Sequence, residues 1–329
     1  MRLIAPTKLQ MAVINGTYNP SDKTTIKFEL SGSKNDLNLF SNLDNNDDNG
    51  FAGKLNITQN LIKNDSLWNL NAFINTDYIH QDFRTIEQLY NVEFNRDWNI
   101  ENPLGNQQLV KTGLSAFHST KGNATYTFEH LNYFDNFNGN RHNTQANLQL
   151  DKFHIYTNSS ILSARDNINT SNFFRSFNRL TYNYKKGWVG TKLNIENNKQ
   201  KNIQTEEITP LSQHFTAYEV FTGIGDSTKV FTEIGYKNRS NDSVKNNLLQ
   251  KVNTSNTYYL KTKLVQNTNT NLALFVNYRI LKHVDETIDD EQSLNSRLQY
   301  SQKLFKQLIF LNTVFETNSG TLPQQDFSY

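Results

Sequence analysis

Between Leu67 and Ile79 apolar and polar residues alternate. Trp68, Leu70, Ala72, Ile74 and Tyr78 fall on one side of an extended chain, and Asn69, Asn71, Asn75 and Asp77 fall on the other, with Phe73 as an apolar exception. A period of two describes a strand with one apolar and one polar face. Either a soluble sandwich or the wall of a membrane barrel uses such a strand, and in a barrel wall the apolar face meets lipid and aromatic residues mark the interfaces.

The same pattern recurs along most of the chain. It is clean at Thr24–Ile26–Phe28–Leu30, at Phe51–Gly53–Leu55–Ile57, at Ala124–Tyr126–Phe128, and at Ala146–Leu148–Leu150 followed by Phe153–Ile155. It returns at Val189–Thr191–Leu193–Ile195, Tyr258–Leu260–Thr262–Leu264 and Leu272–Leu274–Val276–Tyr278–Ile280. Weaker segments near 10–18, 109–118, 173–184, 214–222, 228–238, 293–302 and 308–316 bring the total to about sixteen strands of roughly ten residues, the length of a tilted membrane strand.

The connections predict the topology. Turn-forming clusters such as Asn19-Pro20-Ser21-Asp22, Asp151-Lys152 and Lys185-Lys186-Gly187 make a short set. Segments 32–50, 80–108, 135–143, 163–172, 197–213, 239–256 and 282–292 make a long set. Short and long connections alternate, as in an up-and-down antiparallel sheet with tight turns at one end and long loops at the other. The expected fold is therefore all-β: an up-and-down antiparallel membrane β-barrel, complete or a fragment of one, spanning 1–329 with 80–108 as a long ordered insertion.

Composition narrows this further. The hydrophobic fraction is 36% and charged residues make up 19%, with a mean hydropathy of -0.69. Asn, Gln, Thr and Ser supply the polarity, as suits strands with a single apolar face joined by polar loops. A net charge of +2 carries no basic field for nucleic acid. Without cysteine there is no disulfide, thiolate metal site or Cys nucleophile. No apolar run of about 18 residues writes a transmembrane helix. Met1–Gln10 has no apolar stretch of the export-signal kind, so an exported barrel implies sequence beyond this chain, and 317–329 reads as a lead-in to more.

Few constellations carry chemistry. The acidic run Asp44–Gly50 fails the calcium-loop spacing in both registers that fit its ligands, with Asn49 at the glycine position in one and Asn56 at the terminal Glu position in the other. The seven histidines form no ligand pair. No nucleophile–base spacing and no phosphate-binding glycine loop occurs, so neither a cofactor nor a catalytic residue is assigned. Residues 83–98 form the most distinctive stretch, mixing Phe83, Tyr90, Phe94 and Trp98 with Arg84, Glu87, Glu93, Arg96 and Asp97. Such a mixture predicts an ordered loop or short helix, folded inward or capping one end. Glu87 and Glu93 could act as an acid/base pair, but they are at least as easily explained as partners of Arg84 and Arg96.

With those residues in hand the chain resembles the large outer-membrane β-barrel proteins of Bacteroidetes-type bacteria. The resemblance rests on Phe83-Arg84-x-Ile86-Glu87, on Val92-Glu93-Phe94-Asn95-Arg96-Asp97-Trp98, on the Asn/Lys/Thr-rich strands, and on the terminal Gly320–Tyr329. It is diffuse except over 83–98. It implies an outer-membrane channel, transporter or secretion-related barrel, without a recognisable plug or carbohydrate-binding motif. On this reading the chain is not an enzyme, and its partners are outer-membrane lipid and other envelope proteins. Lys27, Glu29, Glu129, Lys229 and Glu233 are then the lumen-facing candidates. The alternative is a secreted or surface-attached β-rich adhesin.

Overall fold

The computed structural model describes residues 5–41, 43, 45–63, 67–226, 229–306 and 308–320. The protein is all-β. Its strands are β1 (Lys8–Ser21), β2 (Thr24–Asp36), β3 (Asn49–Ile62), β4 (Asn69–Ile79), β5 (Gln107–His118), β6 (Gly122–Tyr133), β7 (Phe137–Leu150) and β8 (Phe153–Asp166). They continue as β9 (Asn169–Tyr184), β10 (Gly187–Asn202), β11 (Gln213–Gly225), β12 (Phe231–Lys245), β13 (Leu248–Gln266), β14 (Thr270–His283), β15 (Glu291–Leu304) and β16 (Ile309–Gly320). A 3₁₀ turn at Asn45–Asp47 and one short helix, α1 (Phe94–Trp98), complete the described elements. All sixteen strands join one sheet whose spatial order is the sequence order, β1 through β16. The order is open-ended, with β1 and β16 at its two limits. The expected all-β, up-and-down strand order is thus the observed one.

Two compact units divide the chain, the first holding 1–146, 160–173 and 200–207, the second 147–159, 174–199 and 208–329. In the first unit cross-strand register lines residues into rows. One polar row runs Thr17, Lys27, Asn56, Asn75, Lys111, Glu129, and the next runs Asn15, Glu29, Lys54, Asp77, Leu109, Leu131. The row between them, on the other face, is Gly16, Phe28, Leu55, Thr76, Val110, His130. Ile26, Ile57 and Ile74 pair on that same apolar face. Phe73, the misfit of β4, pairs with Gly113, and its ring fills the space where a side chain on Gly113 would stand.

The second unit repeats the two-faced plan. Val189, Thr222, Ile234, Leu260 and Val276 make an apolar row. Lys192, Glu219, Lys237, Thr257 and Arg279 make a polar one. Their alternation follows from the pleat, since a one-residue slip would carry every isoleucine to the charged face.

The strands run longer than expected, from 11 residues in β4 to 19 in β13. Three of the expected long loops are hairpins instead: 135–143 is largely β7, 163–172 turns at 167–168, and 239–256 turns at 246–247. In each, apolar residues are few and do not alternate regularly, so the periodic signal fades while backbone pairing continues. Asn side chains then bond across the ladder. Asn241 Nδ2 donates to Asn253 Oδ1 at 2.6 Å, and Asn238 Nδ2 to Asn256 Oδ1 at 2.8 Å. The turns are local chemistry. Asn246 and Asn247 both take positive φ (53° and 59°), as a two-residue type I′ hairpin turn requires. Asp166 Oδ1 accepts the N–H groups of Ile168 and Asn169 at 2.7 and 2.6 Å. The long connections that remain follow β2, β4, β10 and β14, at 37–48, 80–106, 203–212 and 284–290.

Candidate functional site

The 80–106 segment packs against strands of the first unit. It begins close to the sheet, where the backbone of Phe83 crosses Gly50 so tightly that no Cβ fits there. Arg84 N–H donates to Ser33 Oγ at 3.0 Å, tying the segment to β2. The Arg84 guanidinium donates to the Gln81 carbonyl at 2.8 Å and the Phe83 carbonyl at 3.3 Å. It therefore fastens its own loop and does not pair with Glu87, which is exposed. Glu93 and Arg96 do pair, at 3.0 Å on the solvent side of α1. Asp97 is half-buried on the same helix, and Asn99, with φ of 52°, ends it in the left-handed conformation. The expected acid/base pair, Glu87 with Glu93, is not brought together with a shared cavity: among these two only Glu87 lines the 480 Å³ pocket between 83–90 and the polar face of β1–β4.

The other face of α1 is aromatic. Tyr90 stacks on Phe94 with centroids 4.1 Å apart, and Phe94 meets Trp98 at 6.4 Å. Trp98 is wholly buried, among Ile100, Leu109, Leu131, Phe137, Leu162, Ala164 and Phe173. Leu109, Leu131 and Phe137 occupy positions of their strands that belong to the polar face. At this end the polar face turns apolar, and that patch is the bed on which the segment lies. Tyr90 is anchored by Gln107, whose Nε2 donates to the phenol oxygen at 2.8 Å. Burial first, and the charge of Asp77 second, push the Tyr90 phenol well above its ordinary range.

Beside Trp98 stands a buried ion-pair group. Glu129 is 5% exposed. Its Oε2 accepts two bonds from the Arg141 guanidinium, one of them from Nε at 2.5 Å, and Lys111 Nζ lies 3.4 Å from Oε1. Arg141 in turn spreads its guanidinium over the Trp98 ring, 4.5 Å from the centroid. Glu129 is thus a structural centre with its full complement of cations. Lys111 and Arg141 escaped the sequence reading, although parity alone puts both on the face of Glu129.

Comparison with protein-family models and with curated proteins returned no match.

The remaining candidates divide. Lys27 and Glu29 lie on the polar face of β2, in the two rows given above. Glu233 lies on the polar face of β12 in the second unit and accepts from Trp188 Nε1 at 2.7 Å. Lys229 is on no strand: it sits in the turn before β12, exposed and 4.0 Å from Asp226. The periodicity reached it because its odd number matches the parity of β12, yet the strand starts only at Phe231. Of the acidic run, Asp44 lies outside the described residues, as does 321–329 of the terminal segment. Among the described residues no three His, Asp or Glu side chains converge as a metal site, and no helix is long and apolar enough to cross a membrane.

Proposed function

We propose that the chain forms the wall of a bacterial outer-membrane β-barrel and serves as a channel, transport or secretion-related pore, passive rather than catalytic. One observation carries this reading: the apolar face of the second unit is banded by depth. On β12 that face reads Thr232, Ile234, Tyr236, then Asn238, Ser240, Asp242. On β13 it reads Leu260, Tyr258, Asn256 in the same direction. Tyr236 and Tyr258 stand side by side with centroids 5.2 Å apart, Tyr218 flanks them at 6.3 Å, and Tyr278 pairs with Tyr258 in register. On β11–β13 apolar residues give way at the tyrosines to amides and hydroxyls, while Ile195 on β10 and Ile280 on β14 carry the apolar face one row farther. A lipid-facing wall has this order, with a phenol belt at the headgroup level.

Exposure supports the same reading. Ile224, Ile234, Val220 and Tyr258 are 62%, 55%, 51% and 51% exposed on this one face. A face of that kind needs lipid or a partner to cover it. The opposite face, with its Lys, Glu and Arg rows, would border water inside a pore. In the first unit the segment 80–106 lies on the corresponding polar face.

The test is refolding of the chain into lipid vesicles. A barrel wall floats with the vesicles, migrates differently on a gel before and after boiling, and raises membrane conductance. A chain that remains in the aqueous phase without detergent would instead support a β-rich surface adhesin, and a vesicle-bound chain that leaves the bilayer electrically sealed would remove the pore.

A further inference from the structure

We propose that the polar face of β12–β14 holds an oxyanion site that takes a phosphate or sulfate group between Lys237 and Arg239 on one side and Arg279 on the other. Register sets the arrangement. Lys237 pairs with Thr257, which pairs with Arg279, and Arg239 pairs with Ser255. Two strand spacings of about 4.8 Å put the cationic walls about 10 Å apart at the backbone. The floor between them is made of two short hydroxyl side chains, Ser255 and Thr257. The depression here has a volume of about 670 Å³.

Charge is unbalanced in it. The lining cations are Lys192, Lys237, Arg239, Lys261 and Arg279, five in all, and the carboxylates are Glu219 and Glu233, two, which leaves 5 − 2 = +3. Both carboxylates are already engaged. Glu219 Oε1 is 2.7 Å from Lys192 Nζ and accepts from the Tyr259 hydroxyl at 2.8 Å. Glu233 accepts from Trp188 Nε1 at 2.7 Å and from the Tyr259 hydroxyl at 3.4 Å. Tyr259 reaches both because its ring crosses Gly235, its cross-strand partner, where a Cβ would collide with it.

Among the described residues no carboxylate lies within 4.0 Å of Lys237, Arg239 or Arg279. Glu219 is the cross-strand neighbour of Lys237, but its carboxylate is already engaged by Lys192 and Tyr259, so the excess positive charge of the depression favours an anion joining the three cations. Arg239 is moreover preset. Its Nε donates to Asn241 Oδ1 at 2.7 Å, and its guanidinium lies over Phe215 of the neighbouring β11 at 4.2 Å, which leaves its two Nη groups as the donors for an anion. Held at Nε, the guanidinium has a fixed plane from which to donate, a geometry that suits phosphate and sulfate oxygens.

The site stands on the polar face alone and goes beyond the pore reading. Binding is read on the full chain refolded in detergent, where no conductance is needed. Radiolabelled inorganic phosphate and sulfate, each dialysed at constant ionic strength made up with chloride, should bind saturably at one per chain. Lys237→Gln with Arg279→Gln should weaken that binding at least tenfold. Lys229→Gln, which removes one positive charge in a turn outside the depression, should leave it unchanged. As an independent readout, phosphate should raise the thermal midpoint of the unmodified chain above that in chloride of equal ionic strength. The proposal fails if neither anion binds saturably or raises the midpoint, if the double variant binds like the parent, or if Lys229→Gln loses as much as the double variant. Binding without conductance would overturn the pore and spare the site, and conductance without binding would do the reverse.

Discussion

The guanidinium of Arg141 lies 4.5 Å from the centroid of the wholly buried Trp98 ring, while the same guanidinium grips Glu129. A strand residue of β7 thereby joins the helix of a loop to a carboxylate of β6. The ring gains a cation over its face, worth about 2 kcal/mol when shielded from water, and the cation keeps its counter-ion.

Removing one member of this trio leaves the rest mismatched. Glu129→Gln should destabilise the first unit by about 3 kcal/mol, chiefly because the largely buried Arg141 guanidinium loses its partner, with little from the more exposed Lys111. Trp98→Ala should cost about 3–5 kcal/mol through the cavity it opens. Urea unfolding followed by near-ultraviolet circular dichroism checks both. A loss under 1 kcal/mol for Glu129→Gln would mean that solvent reaches the group.

The docking of the 80–106 segment should depend on pH from the alkaline side. Burial raises the folded value of the Tyr90 phenol above its unfolded value of about 10. The stabilisation is then fully present below pH 10 and is lost as pH rises toward the folded value. With Trp68 and Trp188 replaced by Phe, Trp98 fluorescence should hold constant to about pH 10 and then move to the exposed signature. Tyr90→Phe, which cannot ionise, should remove that alkaline step, and a step of equal size in the variant would assign it elsewhere.

The two faces of β12 and β14 should respond in opposite ways to the same charge. Ile234→Arg, on the apolar face, should cost about 2–4 kcal/mol for folding in vesicles, as an arginine does deep on a lipid-facing wall. Asn277→Arg, on the polar face, should cost less than about 1 kcal/mol. Urea midpoints in vesicles separate them, and equal costs would argue against lipid on one face.

Gly235 and Tyr259 should be energetically coupled. Gly235→Val should cost about 1–3 kcal/mol by displacing the Tyr259 ring from its place over β12. In a Tyr259→Ala background the same valine should cost little. A double-mutant cycle measures the difference, and additivity within about 0.3–0.5 kcal/mol would show that the ring can find another seat.

Periodicity made the strands legible because alternation is a property of the chain itself. Leu70, Ala72, Ile74 and Tyr78 had to share a face once the segment was extended, and the turn clusters marked where the chain reverses. The alternation failed where apolar residues are few and irregularly spaced, so 135–143, 163–172 and 239–256 looked like loops. There the ladder is held by backbone pairing and by amide pairs such as Asn241–Asn253, for which a hydrophobic pattern has no signal.

What the sequence by itself determined is the strand order, the alternation of two faces and the tight turns. Only the tertiary structure decided that Trp98 would bury itself on Leu109, Leu131 and Phe137, that Arg84 would bind its own loop and not Glu87, and that Lys237, Arg239 and Arg279 would gather while Glu219 and Glu233 were engaged elsewhere. The reason is register. Which side chains meet across a sheet depends on how far each strand slides along its neighbour, and that sliding is fixed by contacts between residues distant in the chain, which local patterns do not carry.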